Sequence, residues 1–325
     1  MQGPVLLLTH SGDYYTIDLV IEALRARDAS SLRVDTDGFP QDFQLSVEMS
    51  QAGVECHLRT PTRDIDLATV PAIWARRLWP GKTPASLDPR FAHHCYQESR
   101  TAFFDTLALL DTIRWVNPIP EGLAAESKLL QLRLAREAGL SIPPTVVGND
   151  PARIRDLFTR LDGNMITKLL GPLSQTMDAS GDFVYTNRVT AEDMAHIDDV
   201  QYAPQIFQAL IEKKRELRVI LVGRHTFVGA IDASRTDHGR VDWRRLTTRD
   251  DVTWTEGSLP AAVEQATRRL MQRLGLHFGA ADFLVDADDR HIFLELNPAG
   301  EWGWLQRDLG FPIAEAIAET LLSPL

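Results

Sequence analysis

The stretch Ala280–Ala299, AADFLVDADDRHIFLELNPA, decides the architecture. Two apolar β-type runs, Ala281–Val285 and His291–Leu296, flank Asp286-Ala287-Asp288-Asp289-Arg290. That turn chemistry between strand-forming runs predicts a β-hairpin. A register symmetric about Asp288 and Asp289 sets Asp282 opposite Glu295. Directly opposed Cβ atoms lie about 4.5–5.5 Å apart, so two carboxylates there repel unless a cation lies between them. Asn297 stands two residues beyond Glu295 and projects from the same face. Asp282, Glu295 and Asn297 are hard oxygen donors, the kind Mg²⁺ takes up alongside waters and phosphate oxygens. Phe283, Leu284, Phe293 and Leu294 would hold them on a packed sheet, and Asn297-Pro298 ends the strand. The competing reading is an edge hairpin whose acids are solvated or paired with basic neighbours. The hairpin alone favours that plainer reading.

A nucleotide site also needs fixed positive charge. Lys168 ends a short strand and opens a Gly/Ser/Thr loop, residues 170–182. Lys128 opens a Leu-rich helix near its positive end. Both suit phosphate oxygens. The loop could offer backbone N–H groups and close as a lid. Taken singly, either lysine reads equally as a solvated side chain and the loop as a plain connection. There is no GxxxxGK[ST] and no GxGxxG, so neither a P-loop nor a dinucleotide fingerprint is present. The segment Gln208-Ala209-Leu210-Ile211 could read an adenine edge with its backbone. Glu216 could accept from ribose hydroxyls. Arg218 could face a phosphate or a substrate carboxylate, and Arg244, in Asp242-Trp243-Arg244-Arg245, invites the same reading. The bland alternatives are a solvated strand entrance and a surface arginine stacked on Trp243.

The 325 residues are 44% hydrophobic and 24% charged, which permits two or three domains and excludes wholesale disorder. The net charge is −11, which argues against a nucleic-acid-coating surface but not against a local cationic pocket. Cys56 and Cys95 sit in no metal or redox spacing and read as ordinary reduced thiols. No apolar run approaches the roughly 20 residues of a membrane span, and the N-terminus reads as a strand. A reduced cytoplasmic protein without nucleic-acid or membrane partners is expected.

Residues 1–118 read as an open α/β unit. Strands fall at Val5–Thr9, Ser31–Val34 and Ala72–Arg77, and helices at Asp18–Arg27 and Pro89–Asp111. Asn117-Pro118 and Pro120 break the chain and mark a boundary. Ala124–Ala138 predicts one helix ended by Gly139. Met165–Leu169 and Gln205–Ile211 are short strands. Glu216–Val222 and Thr226–Ala230 form a hairpin about Gly223, Pro260–Leu274 is an amphipathic helix, and Pro312–Leu322 is helical. The division expected is 1–118, 119–205 and 206–325.

The ordering Lys128, Lys168 with its loop, 208–211, then Asp282, Glu295 and Asn297 resembles the ATP-grasp superfamily of carboxylate–amine ligases. Within it the chain resembles the microviridin-type peptide maturases, the graspetide synthetases. The blocks VLLLTHSGDYYTIDLVIEAL, RVDTDGFP, AIWARRLWPG, ESKLLQLRLAREAGLSIPPT, ITKLL, FVYTNRV, FQALIEKKRELRVILVG, VDWR and FLELNPAGEW carry that resemblance over nearly the whole chain. It implies an α/β ATP-grasp fold of α+β lobes behind a pre-ATP-grasp domain. It implies that Lys128 and Lys168 bind ATP phosphates, that backbone groups of Gln208 and Ile211 meet adenine, and that Glu216 meets ribose. Mg²⁺ would be held by Asp282, Glu295 and Asn297. Arg218 and Arg244 become candidates for the acyl phosphate or the acceptor carboxylate. The implied reaction activates Asp or Glu side chains of a ribosomal precursor peptide, leader plus acidic core, as acyl phosphates. Ser/Thr hydroxyls or Lys amines then close ω-ester or ω-amide rings. A homodimer is the implied assembly. Three positions depart from the pattern. Ala280 stands where many ATP-grasp ligases have an arginine, Ala209 where the hinge often has Glu, and Asn297–Trp302 reads NPAGEW rather than NPNGQW.

Three other readings remain at this point. One is a ligase adding a free amino acid to a small molecule or protein tail. Another is a non-catalytic ATP-responsive peptide binder. The last, an NAD-linked oxidoreductase, lacks its glycine fingerprint.

Overall fold

A computed structural model of the chain describes residues 3–79, 81–171, 186–232 and 253–323. It begins with β1 (Val5–Thr9), five consecutive buried residues, the pattern of a strand covered on both faces. Helix α1 (Thr16–Arg25) buries Ile17, Val20, Ala23 and Leu24 at helical spacing. The strands β2 (Ser31–Asp35), β6 (Ala72–Ala75) and β7 (Arg114–Val116) join β1 in a parallel sheet of order β2-β1-β6-β7. Between β2 and β6 an antiparallel meander intervenes, β3 (Gln44–Ser50), β4 (Gly53–Arg59) and β5 (Asp64–Asp66). The sequence reading had not placed it. The alternation of Leu45, Val47 and Met49 with polar residues was its signal. Helix α2 (Pro89–Ala108) packs Phe103 and Leu107 into the core of this region.

The helix expected over Ala124–Ala138 is two helices, α3 (Ile119–Ala125) and α4 (Lys128–Glu137). Ser127 starts the second by accepting a hydrogen bond from the Leu130 amide at 3.3 Å. Pro120 opens α3 in its first turn, where proline's missing N–H costs nothing, rather than breaking the chain.

Next come β8 (Thr145–Gly148), α5 (Pro151–Arg160), β9 (Met165–Lys168), β10 (Asn187–Arg188), α6 (Ala191–Ala195) and β11 (Gln205–Ala209). The four strands form an antiparallel sheet of order β10-β9-β11-β8. Phe207 and Met165 pack with Ile154 and Leu157 of α5 on one face. Alternation therefore turns Ile206, Gln208, Ile166 and Lys168 to the opposite face.

The last sheet has the order β14-β13-β12-β15-β16. Its strands are β12 (Lys213–Val222), β13 (His225–Ile231), β14 (Trp254–Glu256), β15 (Phe278–Asp286) and β16 (His291–Asn297). One face, with Leu217, Val219, Leu221, Ala281, Phe283, Phe293 and Leu296, packs on α4 and on α7 (Ala261–Arg273). The other face divides along its length. Ile220, Val222, Phe278 and Ala280 pack against α1, Trp302 and Leu305 of α8 (Gly303–Leu309), and α9 (Ile313–Leu322). Toward the other end that face carries Glu216, Arg218, Asp282 and Glu295. Fully burying one large apolar side chain contributes about 1.5–3 kcal/mol. Phe283, Phe293 and Trp302, each under 2% exposed, thus anchor the sheet firmly from both sides. No helix among the described residues is long and apolar enough to cross a membrane.

Candidate functional site

Asp282 pairs with Glu295, as the sequence predicted, and Arg218 pairs with Asp282 on its other side. The three side chains form a row across β12, β15 and β16. The repulsion expected of opposed carboxylates is answered by this arginine. Arg218 Nη1 donates to both oxygens of Asp282 at 2.9 and 3.0 Å. Its Nη2 donates to the Glu301 carbonyl at 2.9 Å, and its guanidinium lies 5.6 Å over the Trp304 ring. Arg218 is 9% exposed, so these contacts hold it in one place. Ala280, where many ATP-grasp ligases carry arginine, is buried against this assembly.

The pairing arises differently from the symmetric hairpin expected. Near the turn Val285 pairs with His291 and Phe283 with Phe293, a register centred on Asp288 alone. Leu294 is an extra residue, a β-bulge, and beyond it the register advances by one. Without the bulge Glu295 would pair with Ala281 and point into the helix-packed core. With it, Phe293 and Leu296 face the core and Glu295 faces the site. Asn297 follows on the same face, with Nδ2 3.4 Å from Glu295 Oε1.

Two lysines from other elements reach Glu295. Lys128 Nζ lies 3.7 Å from Glu295 Oε2 and donates to the Leu169 carbonyl at 2.8 Å. Lys168 Nζ, at the end of β9, lies 4.0 Å from the same oxygen. The Lys168 face of one sheet and the Glu295 face of the other therefore border one cleft. Gln208 stands on that same face of the central sheet, buried, its side-chain amide donating to Thr145 Oγ1 at 3.0 Å. Its backbone is paired on both sides, with Thr145 and with Ile166. The Ala209 and Leu210 amides donate to the Pro144 and Asn164 carbonyls. Ile211 lies past the strand end, between the two sheets. Glu216, two residues before Arg218 on the same face of β12, accepts from Lys213 Nζ at 2.5 Å. Arg244 and residues 172–182 of the predicted lid lie outside the described residues.

No group of three or more His, Cys, Asp or Glu among the described residues forms an all-protein metal cage. Two carboxylates and one amide, with two lysines nearby, form a different donor set. It fits Mg²⁺, which keeps waters and shares ligation with substrate phosphates.

The sequence reading missed a further set of residues. Arg76, 2% exposed, pairs with Glu301, donates to the Ala299 carbonyl at 2.9 Å, and lies 3.8 Å from Asp13. Arg77 reaches Glu301 at 3.2 Å. Glu301 also accepts from the Trp302 and Gly303 amides at 3.1 and 2.9 Å. Burial pushes the Glu301 carboxyl up, but Arg76, those amides and Arg77 outweigh it and hold the group below its ordinary value. The departure NPAGEW thus supplies the acid that ties the N-terminal sheet to the hairpin. Asn117 was also missed. Its Oδ1 accepts from the His277 and Phe278 amides at 2.8 Å each, and its Nδ2 donates to the Phe278 and Pro298 carbonyls at 2.8 Å each. Gln131 bonds the Leu296 backbone. It falls on the helical stripe of Ala135 and Ala138, which was the available signal.

The chain is similar in sequence and fold to known proteins. A family model described as the MvdD pre-ATP grasp domain matches residues 4–122. The crystal structure of macrocyclase MdnB from Microcystis aeruginosa MRC is 40% identical, covers 98% of this chain and 99% of its own, and superposes with a TM-score of 0.83. The chain belongs to the graspetide-type ATP-grasp ligases. Macrocyclase MdnC from the same organism, bound with precursor peptide MdnA, is 33% identical over 99% of this chain and 100% of its own, with a TM-score of 0.87. A Chryseobacterium gregarium RiPP-associated ATP-grasp ligase in complex with ADP and a leader and core peptide is 28% identical. It covers 100% of this chain and 98% of its own, with a TM-score of 0.91. Among curated protein sequences none matches. The ATP-grasp fold with a pre-ATP-grasp domain is therefore that of this ligase family.

Proposed function

We propose that this ligase activates Asp or Glu side chains of a ribosomal precursor peptide as acyl phosphates and couples them to Ser/Thr hydroxyls or Lys amines of the same peptide. The observation that carries the reading is the convergence of Lys128 and Lys168 on Glu295, with Asp282 and Asn297 on the same face. That arrangement suits a triphosphate with its metal ion, and the similar macrocyclase MdnC, bound with precursor peptide MdnA, supports a peptide as the substrate class.

A carboxylate is a poor electrophile because its charge repels nucleophiles. Its oxygen attacks the γ-phosphorus of ATP, and ADP leaves. A hydroxyl or amine then attacks the acyl carbon, and phosphate departs with the proton. Lys128 and Lys168, which converge beside Glu295, would serve as fixed point charges for the phosphates of ATP. Asp282, Glu295 and Asn297 would hold Mg²⁺, which would supply further charge screening. Because the Gln208 backbone is paired within the sheet and the Ala209 and Leu210 amides are engaged, the adenine contact falls to the backbone of Ile211, past the strand end, and Glu216 would take the ribose hydroxyls. Arg218 now holds both oxygens of Asp282. Giving up one of these bonds on ligand binding frees an N–H for an acyl-phosphate oxygen. Arg244 is a second candidate for that role. No protein nucleophile is required; positioning and electrostatics lower the barrier.

The three regions 1–118, 119–205 and 206–325 then serve as pre-ATP-grasp domain, phosphate-covering lobe and metal-bearing lobe. A cytoplasmic setting is supported by the free thiols Cys56 and Cys95. The test is mass spectrometry of a co-expressed precursor with ATP and Mg²⁺. One water is lost per ring, and Glu295→Ala is expected to abolish that loss while the fold persists. Undiminished water loss in this variant would refute the metal assignment.

A further inference from the structure

Gln131 is 3% exposed, a polar side chain buried on α4 beside Leu132, Leu134 and Ala135. Its Oε1 accepts from the Leu296 amide at 2.8 Å. Its Nε2 donates to the Leu296 carbonyl at 2.7 Å and to the Ala125 carbonyl at 2.5 Å. The side-chain amide thus meets the backbone donor and acceptor of one residue as a neighbouring strand would. The residue it grips lies between Glu295 and Asn297. β16 is the edge strand of its sheet, so its outer backbone groups need partners from outside the sheet. The linker supplies one more: the Ser141 carbonyl accepts from the Phe293 amide at 2.8 Å. Lys128 is three residues before Gln131 on the same helix, a spacing that places the two side by side. α4 therefore holds β16 twice, at the Glu295 carboxylate through Lys128 and at the Leu296 backbone through Gln131.

An apolar side chain at position 131 would fill the same volume. Apolar contact is non-directional and would let the edge strand settle at more than one height along α4. Two opposed hydrogen bonds to one residue permit a single register. Register matters acutely here, because a one-residue slip exchanges the faces of Glu295 and Leu296.

We propose that Gln131 is a positioning residue that sets Glu295 and Asn297 relative to Lys128, and thereby governs the magnesium-linked part of nucleotide binding. This rests on the ligand assignment made under the proposed function. The amide touches no reacting atom. Its effect is on how well a metal ion and the Lys128 ammonium can serve the same phosphates.

The experiment measures ADP affinity by calorimetry on the full chain, with and without Mg²⁺. Gln131→Met removes all three bonds at similar volume. It is expected to lose roughly tenfold or more of the magnesium effect, the scale seen when groups orienting metal ligands are removed. Its magnesium-free ADP affinity should stay near that of the unaltered enzyme. A merely structural role would lower thermal stability and leave that ratio alone. Gln131→Asn keeps an amide but draws it back by one carbon, and carries the same expectation should the Met variant not fold. Gln131→Glu, assayed at about pH 5.5, presents a buried protonated carboxyl with one donor and one acceptor, and should restore the effect. A folded Met or Asn variant that keeps the full magnesium effect overturns the proposal, as does a Glu variant no better than these. If ADP binding to the unaltered enzyme ignores magnesium, the ligand assignment falls and this proposal with it.

Discussion

Glu295 is the residue on which the site turns, because lysines from two different elements reach one of its oxygens. The three oxygen donors and the two lysines were legible in the sequence because each is a chemically distinctive residue at a readable spacing. Asn117 and Gln131 were not, because the hairpin backbone groups they bond lie more than a hundred residues away. Gly300 shows a further residue-scale constraint. A Cβ there would lie 2.7 Å from Arg218 Nη2 and 3.1 Å from the Asn297 Cβ, and against the Ala280 Cβ. Gly300→Ala must therefore displace the arginine or the hairpin end. Displacements of about 1 Å near reacting groups can cost on the order of 100-fold in rate. A fall of about that size in precursor water loss is expected, followed by mass spectrometry over time. A rate near that of the unaltered enzyme would show that Arg218 has room to spare.

At the scale of elements, the outer edge of the hairpin, beyond β16, is held by neighbours that are not strands. α4 begins at Lys128 because Ser127 caps it, which fixes where the lysine enters the cleft. Loss of such a cap typically costs about 1 kcal/mol. Ser127→Ala should lower the urea midpoint by a corresponding amount with an unchanged slope; no shift would mean that tertiary contacts alone hold the helix start. The bulge at Leu294 is the element-scale feature that symmetry of the turn did not reveal. The expected partner for Asp282 was right, but the turn is centred on Asp288, half a residue earlier than expected, and the extra residue restores the pairing. Hairpin chemistry was visible in the Asp-rich turn. The bulge was not, because it answers to the core: Phe283 and Phe293 pack edge to face, with ring centroids 5.6 Å apart, and fix the turn-side register. The meander β3-β4-β5 was likewise present as an alternation and passed over, since its charged outward residues obscure a short apolar face.

Across the whole molecule, Glu301 joins the N-terminal sheet to the end of the β15–β16 hairpin. Removing its charge leaves the buried Arg76 guanidinium without its main partner. Breaking a buried pair costs about 3–5 kcal/mol, and roughly 2 is expected of Glu301→Gln because its side chain is 36% exposed. The carboxyl is held below its ordinary value, so its stabilisation is complete above the usual carboxylate range and is lost as pH falls through the lower folded value. The difference in Tm between the unaltered protein and Glu301→Gln should be constant near neutrality and shrink below about pH 4. A difference that grows on acidification would contradict the assignment. The sequence by itself determined the ligand chemistry: which residues can hold a metal, which cations can meet phosphates, and which family's order they follow. These depend on side-chain type and local spacing, and both are written in the chain. Only the tertiary structure decided which face Glu295 presents, which arginine answers Asp282, and how the N-terminal domain is latched to the hairpin. Those depend on a register and on backbone partners brought together from distant parts of the chain by the packing of separate cores.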